Sequence, residues 1–502
     1  MNKLITIILL AVLMIPVACN DDILTQDNPT ELSQDTFFKT QQQANSALYG
    51  VYAGLQGRDM YARQFFYTLD MTTDEMDGTG NLQGELRQML EFTFDASTGG
   101  VAAMWRGCFR GIQRANNVIA NVTVENTEDP QLKEAEINRI VAEAKFLRAW
   151  YYFQLGKLYG GVPLLTVPAE GTVSAARSSA DEVFAQIIKD LTEAQAALPL
   201  KSEYDADNIW RASKGAAQGL LARVQMFRKD YGAANTELDK IIGSAEYSLT
   251  DRYRDNFEDE TENNSESLFE IQLTNALGGG GIWGLDGQGL SEGTFRGIEY
   301  GFKNFFNIIP SAPLLAEYEV DDPRFKDNFY SEGDLFNNGA DTVHLSGVTQ
   351  VWSKYQRYYK TNNDGFDYSG INFRVLRYAD ILLMKAECEN ELSGPAAALP
   401  FINQIRNRAS VAMPEYGTPE MDALYPVGTA AEMLKAIQHE RVVELCGEQV
   451  RRGDLIRWGI AKEKVEAAGR NYTSPKHDLF PIPLDELDAN DLISQDDQNP
   501  GY

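Results

Sequence analysis

The sequence predicts a mainly α-helical protein, a scaffold of tetratricopeptide-like helix pairs carrying a long irregular insertion of loops and short strands. Three observations predict it. Apolar residues recur at spacings of three and four along several segments. Two of the helix pairs share one small-residue signature. Between those pairs, from about 267 to 372, the chain turns glycine-rich, aromatic and partly alternating, a texture that does not continue a helix.

The chain opens on Lys3 and an apolar run at 4–15. These 12 residues span roughly 18 Å at about 1.5 Å per residue, short of a ~30 Å bilayer core, so the run reads as a secretory leader. Val17-Ala18-Cys19 resembles the bacterial lipoprotein cleavage box, with Pro16 where leucine is usual. Cleavage before Cys19 would make it the acylated N-terminus, and several acyl chains anchor a protein firmly at about 0.8 kcal/mol per buried methylene. Asn20-Asp21-Asp22 resembles the surface-export signal of Bacteroidetes lipoproteins. The expected address is therefore the outer membrane, lipid-anchored and facing outward.

In the body, Ala144, Leu147, Tyr151, Leu155 and Leu158 form one apolar stripe on a helix over 143–158, which Gly160-Gly161 and Pro163 end. Segments 105–122, 181–198, 213–228 and 430–446 carry the same periodicity. In one pair Ala222 is followed by Ala234 and Leu238 around a Lys229-Asp230-Tyr231-Gly232 turn. In the other, Ala386 is followed by Ala398 and Ile402 around Ser393-Gly394-Pro395. Small residues at these points let two antiparallel helices approach closely, as in tetratricopeptide repeats. Inside the insertion, 267–273 alternates like a strand, 278–293 holds eight glycines around Trp283, and 351–359 is aromatic. Trp352, Tyr355, Tyr358 and Tyr359 there read mostly as strand packing. Long loops on a rigid scaffold are where binding sites are found.

The formal charge of −28 argues against nucleic acid and against electrostatic attachment to anionic lipid. Besides Cys19 the chain holds Cys108, Cys388 and Cys446, all in apolar helical patterns, which read as buried free thiols. His344, His439 and His477 have no second ligand at metal spacing. No H-E-x-x-H, G-x-S-x-G or Walker A pattern is present. The formal G-x-G-x-x-G at 279–284 lacks a following helix, so a dinucleotide site is not expected. Asp70, Asp74, Glu75 and Asp77 lack EF-hand spacing and read as a solvated acidic loop rather than a calcium site, so no cofactor is expected.

Several blocks then stand together: Met104-Trp105-Arg106-Gly107 with Arg114-Ala115-Asn116-Asn117; Ala142-Glu143-Ala144-Lys145-Phe146-Leu147-Arg148-Ala149 leading to Tyr159-Gly160-Gly161-Val162-Pro163; Arg377-Tyr378-Ala379-Asp380; Ile405-Arg406-Asn407-Arg408-Ala409; Glu440-Arg441 and Gly453-Asp454-Leu455-Ile456-Arg457-Trp458-Gly459; Leu479-Phe480-Pro481-Ile482-Pro483; and the terminal Gln498-Asn499-Pro500-Gly501-Tyr502. In this order they resemble the SusD/RagB family of outer-membrane lipoproteins over nearly the whole mature chain. The resemblance implies four tetratricopeptide-like pairs, an insertion face that binds oligosaccharide, no catalysis, and a SusC-like TonB-dependent transporter as partner. It divides the chain into a signal peptide at 1–18, an N-terminal region at 19–266 and a C-terminal region at 267–502 containing the insertion. Arg377, Asp380, Glu440, Arg441, Arg451, Arg452, Asp454 and Arg457 read as helix-end and inter-helix ion pairs. The 481–483 segment reads as a packed extended tail.

A sugar offers C–H faces and a rim of hydroxyls, so its site needs an aromatic platform with in-plane polar groups. Two stretches fit. At 61–81, Phe65, Phe66 and Tyr67 precede Asp77 and Asn81; at 283–300, Trp283 precedes Phe295, Arg296 and Tyr300. The candidate ligand residues are thus Trp283, Phe295, Arg296, Tyr300, Phe65, Asp77 and Asn81. Trp283 serves either as platform or as a plug onto the helices; for Phe65, Phe66 and Phe295 core packing is the favoured reading. Peptide cargo on the same fold is the alternative, because tetratricopeptide grooves bind peptides and an acidic surface suits cationic ones. A surface hydrolase ranks last, for want of motifs.

Overall fold

The computed structural model describes residues 37–82, 84–169, 171, 174–276, 292–362 and 368–502. Cys19, Trp283 and most of the glycine-rich stretch lie outside them. The longer helices are α1 (Gln41–Ala53), α2 (Gln64–Met71), α3 (Gly84–Glu91), α4 (Gly99–Asn121), α5 (Glu134–Tyr159), α6 (Ala180–Ala197), α7 (Lys214–Phe227), α8 (Tyr231–Ser244), α9 (Tyr378–Leu392), α10 (Pro395–Arg406), α11 (Ala430–Leu445) and α12 (Arg451–Trp458). Three begin on reciprocal caps, Thr40 with Gln43, Ser179 with Glu182 and Thr429 with Glu432, each satisfying two backbone donors that a helix start leaves orphaned. Ser213 caps α7 and Asp230 caps α8.

The five helices predicted from periodicity all form. Both hairpins also form, α7 with α8 and α9 with α10, and Ala222, Ala234, Leu238, Ala386, Ala398 and Ile402 are completely buried. Although 164 positions separate Ala222 from Ala386, α8 packs directly on α9. One hydrophobic cluster runs from Phe38 to Ile493 and joins the helices to the insertion. Cys108, Cys388 and Cys446 are buried and free.

The insertion is held by two-stranded antiparallel ladders: β1 (Met76–Gly78) with β3 (Ile308–Pro310), β2 (Ser267–Ile271) with β8 (Phe373–Arg377), β4 (Phe329–Ser331) with β7 (Gln350–Trp352), and β5 (Leu335–Phe336) with β6 (Asp341–Thr342). The predicted strand at 267–273 is β2, buried on both faces. In the aromatic stretch at 351–359 the strand stops at Trp352. Tyr355 has φ of 59° and 357–359 is a 3-10 turn, so Trp352, Tyr355 and Tyr358 are buried packing but not one strand.

Behind the insertion lies a buried ionic lattice. Arg377 reaches Glu266 at 2.7 Å, Glu444 at 2.7 Å and Glu448 at 2.8 Å. Arg408 pairs with the same Glu266 and Glu444, and Arg324 with Asp322, Glu440 and Glu444. Burial alone would raise the Glu266 carboxyl, but Arg408 and Arg377 outweigh it and hold it well below the usual carboxylate range. Arg441 joins Asp380 to Asp454, and Arg457 joins Asp454 to Glu387. Arg452 departs from the expected pairing. It donates to the carbonyls of His477 and Asp478 and lies over the Phe480 ring at 4.5 Å. The tail packs as predicted, with Phe480 and Ile482 buried and Asn499 bonded to the carbonyls of Tyr159 and Phe480.

Candidate functional site

The site is assembled around one buried carboxylate, Glu299, at the end of a one-turn helix, Arg296–Glu299. Arg63 Nε donates to it at 2.8 Å, Tyr67 Oη at 3.1 Å and Asn307 Nδ2 at 2.6 Å. These bonds fix the turn at 302–307. That turn in turn holds the loop after β1. Thr79 donates its N–H to Asn307 O at 3.0 Å and its hydroxyl to Phe306 O at 2.5 Å, and Asn81 Nδ2 donates to Phe305 O at 3.0 Å. Asp77, on β1, and Asn81, on this loop, are exposed, and Phe305 and Phe306 are half-buried on the turn beside them, Phe305 packing partly against the hydrophobic core. Phe306 has φ of 51°, a left-handed conformation that costs a non-glycine residue about 1–3 kcal/mol and is tolerated where surrounding bonds impose it. Arg470 stands behind the loop, 3.9 Å from Asp77 Oδ1. Two exposed polar side chains and the half-buried Phe306 therefore stand along this braced turn, a set that a sugar face and its hydroxyls could use.

Four of the sequence candidates are not on this surface. Phe65 is 2% exposed, Phe295 0%, Arg296 1% and Tyr300 0%. Phe65 stacks on Tyr61 at 4.3 Å, and Phe295 is pinned by its N–H to Ala62 O at 2.8 Å. Tyr300 donates its hydroxyl to Asp70 at 2.7 Å. Arg296 is boxed by the rings of Phe66, Tyr300, Tyr355 and Phe373, 4.3 to 5.7 Å from its guanidinium, with Nη2 donating to Gly447 O at 2.6 Å. These are core residues, as the favoured reading of the phenylalanines had it, and the ligand assignment for all four is corrected. Asp77 and Asn81 remain accessible; Trp283 lies outside the described residues.

The acidic loop is corrected as well, because only Asp77 is solvated. Asp74 forms a bidentate pair with Arg451 at 2.8 and 2.6 Å. Burial raises the Asp74 carboxyl, yet Arg451 brings it below its ordinary value. Asp70 accepts from Tyr300 and from Gln449 Nε2. Glu75 accepts the Gly447 N–H at 3.0 Å, and its burial pushes it up to about 8. Gly447 can serve both Glu75 and Arg296 because it has φ of +67° and a Cβ would lie 3.3 Å from Arg296 Nη2. Among the described residues no group of three or more His, Cys, Asp or Glu side chains is placed to hold a metal ion.

Sequence reasoning missed Phe305 and Phe306. The signal was present as an aromatic pair inside Lys303-Asn304-Phe305-Phe306-Asn307, but an apolar pair in a polar context is as readily a core anchor as a platform.

Comparison with known proteins follows the fold closely. The model described as "SusD family" matches residues 225–502, and one described as "Starch-binding associating with outer membrane" matches 22–226. A SusD-like protein of Formosa agariphila is 29% identical over 96% of both chains. A solved "Laminarin binding SusD-like protein" superposes with a TM-score of 0.78 at 28% identity, covering 92% of this chain and 100% of that one. Surface glycan-binding protein A from Bacteroides fluxus gives 0.75 at 26% identity, covering 92% and 100%. With more than half of its length matched by the family model and its helical scaffold shared with solved relatives almost end to end, the chain belongs to the SusD family.

Proposed function

We propose that this protein is a non-catalytic, outer-membrane lipoprotein that binds a glycan and passes it to a SusC-like TonB-dependent transporter. The observation that carries the reading is the braced surface on which Asp77 and Asn81 are exposed along the turn that carries Phe306. It is supported by relatives named for binding laminarin and surface glycan, and by the family model named for association with the outer membrane. Acylation at Cys19 would tether the body to the lipid, and the −28 charge would keep that body off the anionic headgroups. Each hydrogen bond to a sugar hydroxyl nets about 0.5–1.5 kcal/mol after exchange with water, so affinity at one such surface is modest.

Two measurements test this. Calorimetry of the chain lacking its first 19 residues against starch, laminarin, xylan and mannan should show saturable binding to at least one of them, and no turnover. Mild extraction of the full-length lipoprotein from outer membranes should bring a large β-barrel protein with it. Binding of cationic peptides in place of every glycan would transfer the reading to peptide cargo.

A further inference from the structure

On the helical scaffold, two clefts meet at one aromatic ring. The first, of about 400 Å³, is walled by Tyr49, Tyr52 and Trp210, with Gln56, Gln272 and Glu292 on its rim. The second, of about 420 Å³, has Asn45, Arg139, Asp205, Asn208 and Arg211 around the same Tyr49. Each lies within the span of small-molecule sites, about 300–1,000 Å³. None of these residues belongs to the Asp77–Phe306 surface. They come from α1, the 3-10 turn behind it, α5, the loop between α6 and α7, and the chain just after β2, with Glu292 beyond.

The rings are locked by their polar tips. Tyr52 Oη donates to Glu143 at 2.7 Å and accepts the Ala212 N–H at 3.0 Å, while Trp210 Nε1 donates to Asp207 O at 2.7 Å. Arg211 donates to Tyr49 Oη at 2.7 Å and lies over the Tyr49 and Trp210 rings at 5.1 and 4.7 Å. Tyr49 and Trp210 are 5.8 Å apart and inclined at 56°, an angled wall rather than a stacked core pair. Tyr49 is nevertheless 43% exposed and Trp210 half-buried. Aromatic carbon held rigid and left in water is preorganised for a ligand, since its ordering entropy is spent before binding.

The surrounding charge narrows the ligand. The two cations are already engaged, Arg139 with Glu136 and Glu143 and Arg211 with Glu143, so they offer little to an anion. Glu203, Asp205 and Glu292 are exposed carboxylates on the rims and repel sulfated or uronic chains. What remains is flat carbon with amide and carboxylate acceptors at its edge, which matches the C–H face and hydroxyl rim of an uncharged pyranose. We infer that this groove is a second saccharide site, in which one or two rings of a neutral glycan pack on Tyr49 and Trp210. The inference rests on the reading of the protein as a glycan binder.

The test uses the protein lacking its first 19 residues, with maltoheptaose and laminarihexaose as probes, in four forms: wild type, Asp77→Ala/Asn81→Ala/Phe306→Ala, Tyr49→Ala, and the two sets combined. Trp210→Phe is a further form that keeps an aromatic ring, and thermal melts verify the fold of each. Residual binding in the triple variant that drops at least tenfold when Tyr49→Ala is added, with intermediate loss in Trp210→Phe, is the expected result. Wild-type binding that the triple variant alone abolishes would overturn the second site and leave the first standing. Residual binding indifferent to Tyr49→Ala would overturn it also. Absence of wild-type binding to both probes, or displacement by a cationic peptide, would overturn the second site as a neutral glucan groove; the wider glycan panel then decides the first reading separately.

Discussion

At the scale of single residues, Glu75 makes the sharpest prediction. Its folded value, about 8, lies above the ordinary carboxylate value because burial disfavours the charge, while Arg451 and the Gly447 N–H only partly compensate. A group raised in the folded state contributes stability that is complete below its unfolded pKa and is lost as pH climbs through the folded one. Stability should therefore fall by about 1 kcal/mol per pH unit between roughly pH 5 and 8 on account of this group. Glu75→Gln should flatten that slope, read as the difference between wild-type and variant urea midpoints at pH 5.5 and 8. Such behaviour is not legible in Asp-Glu-Met-Asp, because the sequence shows acids in a row and not which of them the fold buries. The same holds for Arg296. A cation between glycine-rich and aromatic stretches suggests a ligand contact, whereas the fold encloses it in four rings. The exposure of Asp77 and Asn81 was legible because polar residues next to glycines at 78 and 80 have little reason to be inside.

At the scale of elements, close helix approach explains the small residues. A Cβ on Gly111 in α4 would fall 2.2 Å from the ring of Tyr151 in α5, so Gly111→Ala should lower stability by about 1–3 kcal/mol through overpacking. Gly243 in α8 has nothing within 4 Å of such a Cβ, and Gly243→Ala should raise stability by about 0.5–1 kcal/mol. Opposite signs for two glycine-to-alanine changes in chemical denaturation would check the packing. Thr429→Ala removes the cap shared with Glu432 and should cost α11 about 1 kcal/mol. Helices and their hairpins were legible because their periodicity is local and long. The ladders of the insertion were not, apart from β2. β5 and β6 are two residues each, a local hairpin around the turn at 337–340 that is too short to show any alternation.

At the scale of the whole molecule, the ionic lattice decides how insertion and scaffold behave together. Arg377 ends β8 and bonds Glu444 and Glu448 on and beyond α11, as well as Glu266. Arg377→Met would leave three buried carboxylates short of a partner and should destabilise by about 3–5 kcal/mol. Far-UV dichroism and the fluorescence of tryptophans in both regions should lose structure in one transition. The braced turn at 302–307 gains its rigidity from this union, since Glu299 joins it to Arg63 and Tyr67 from α2 and the chain before it. The central claim, that this turn and its loop form the glycan surface, is met most directly by one calorimetric comparison. The glycan that binds best in a panel including laminarin would be titrated into wild type and into Asn81→Ala/Phe306→Ala. At least a tenfold loss of affinity with an unchanged melting profile is expected, since alanine keeps the Cβ that makes the left-handed position costly. Equal affinity in a folded variant would contradict it and move the glycan to another surface of the protein.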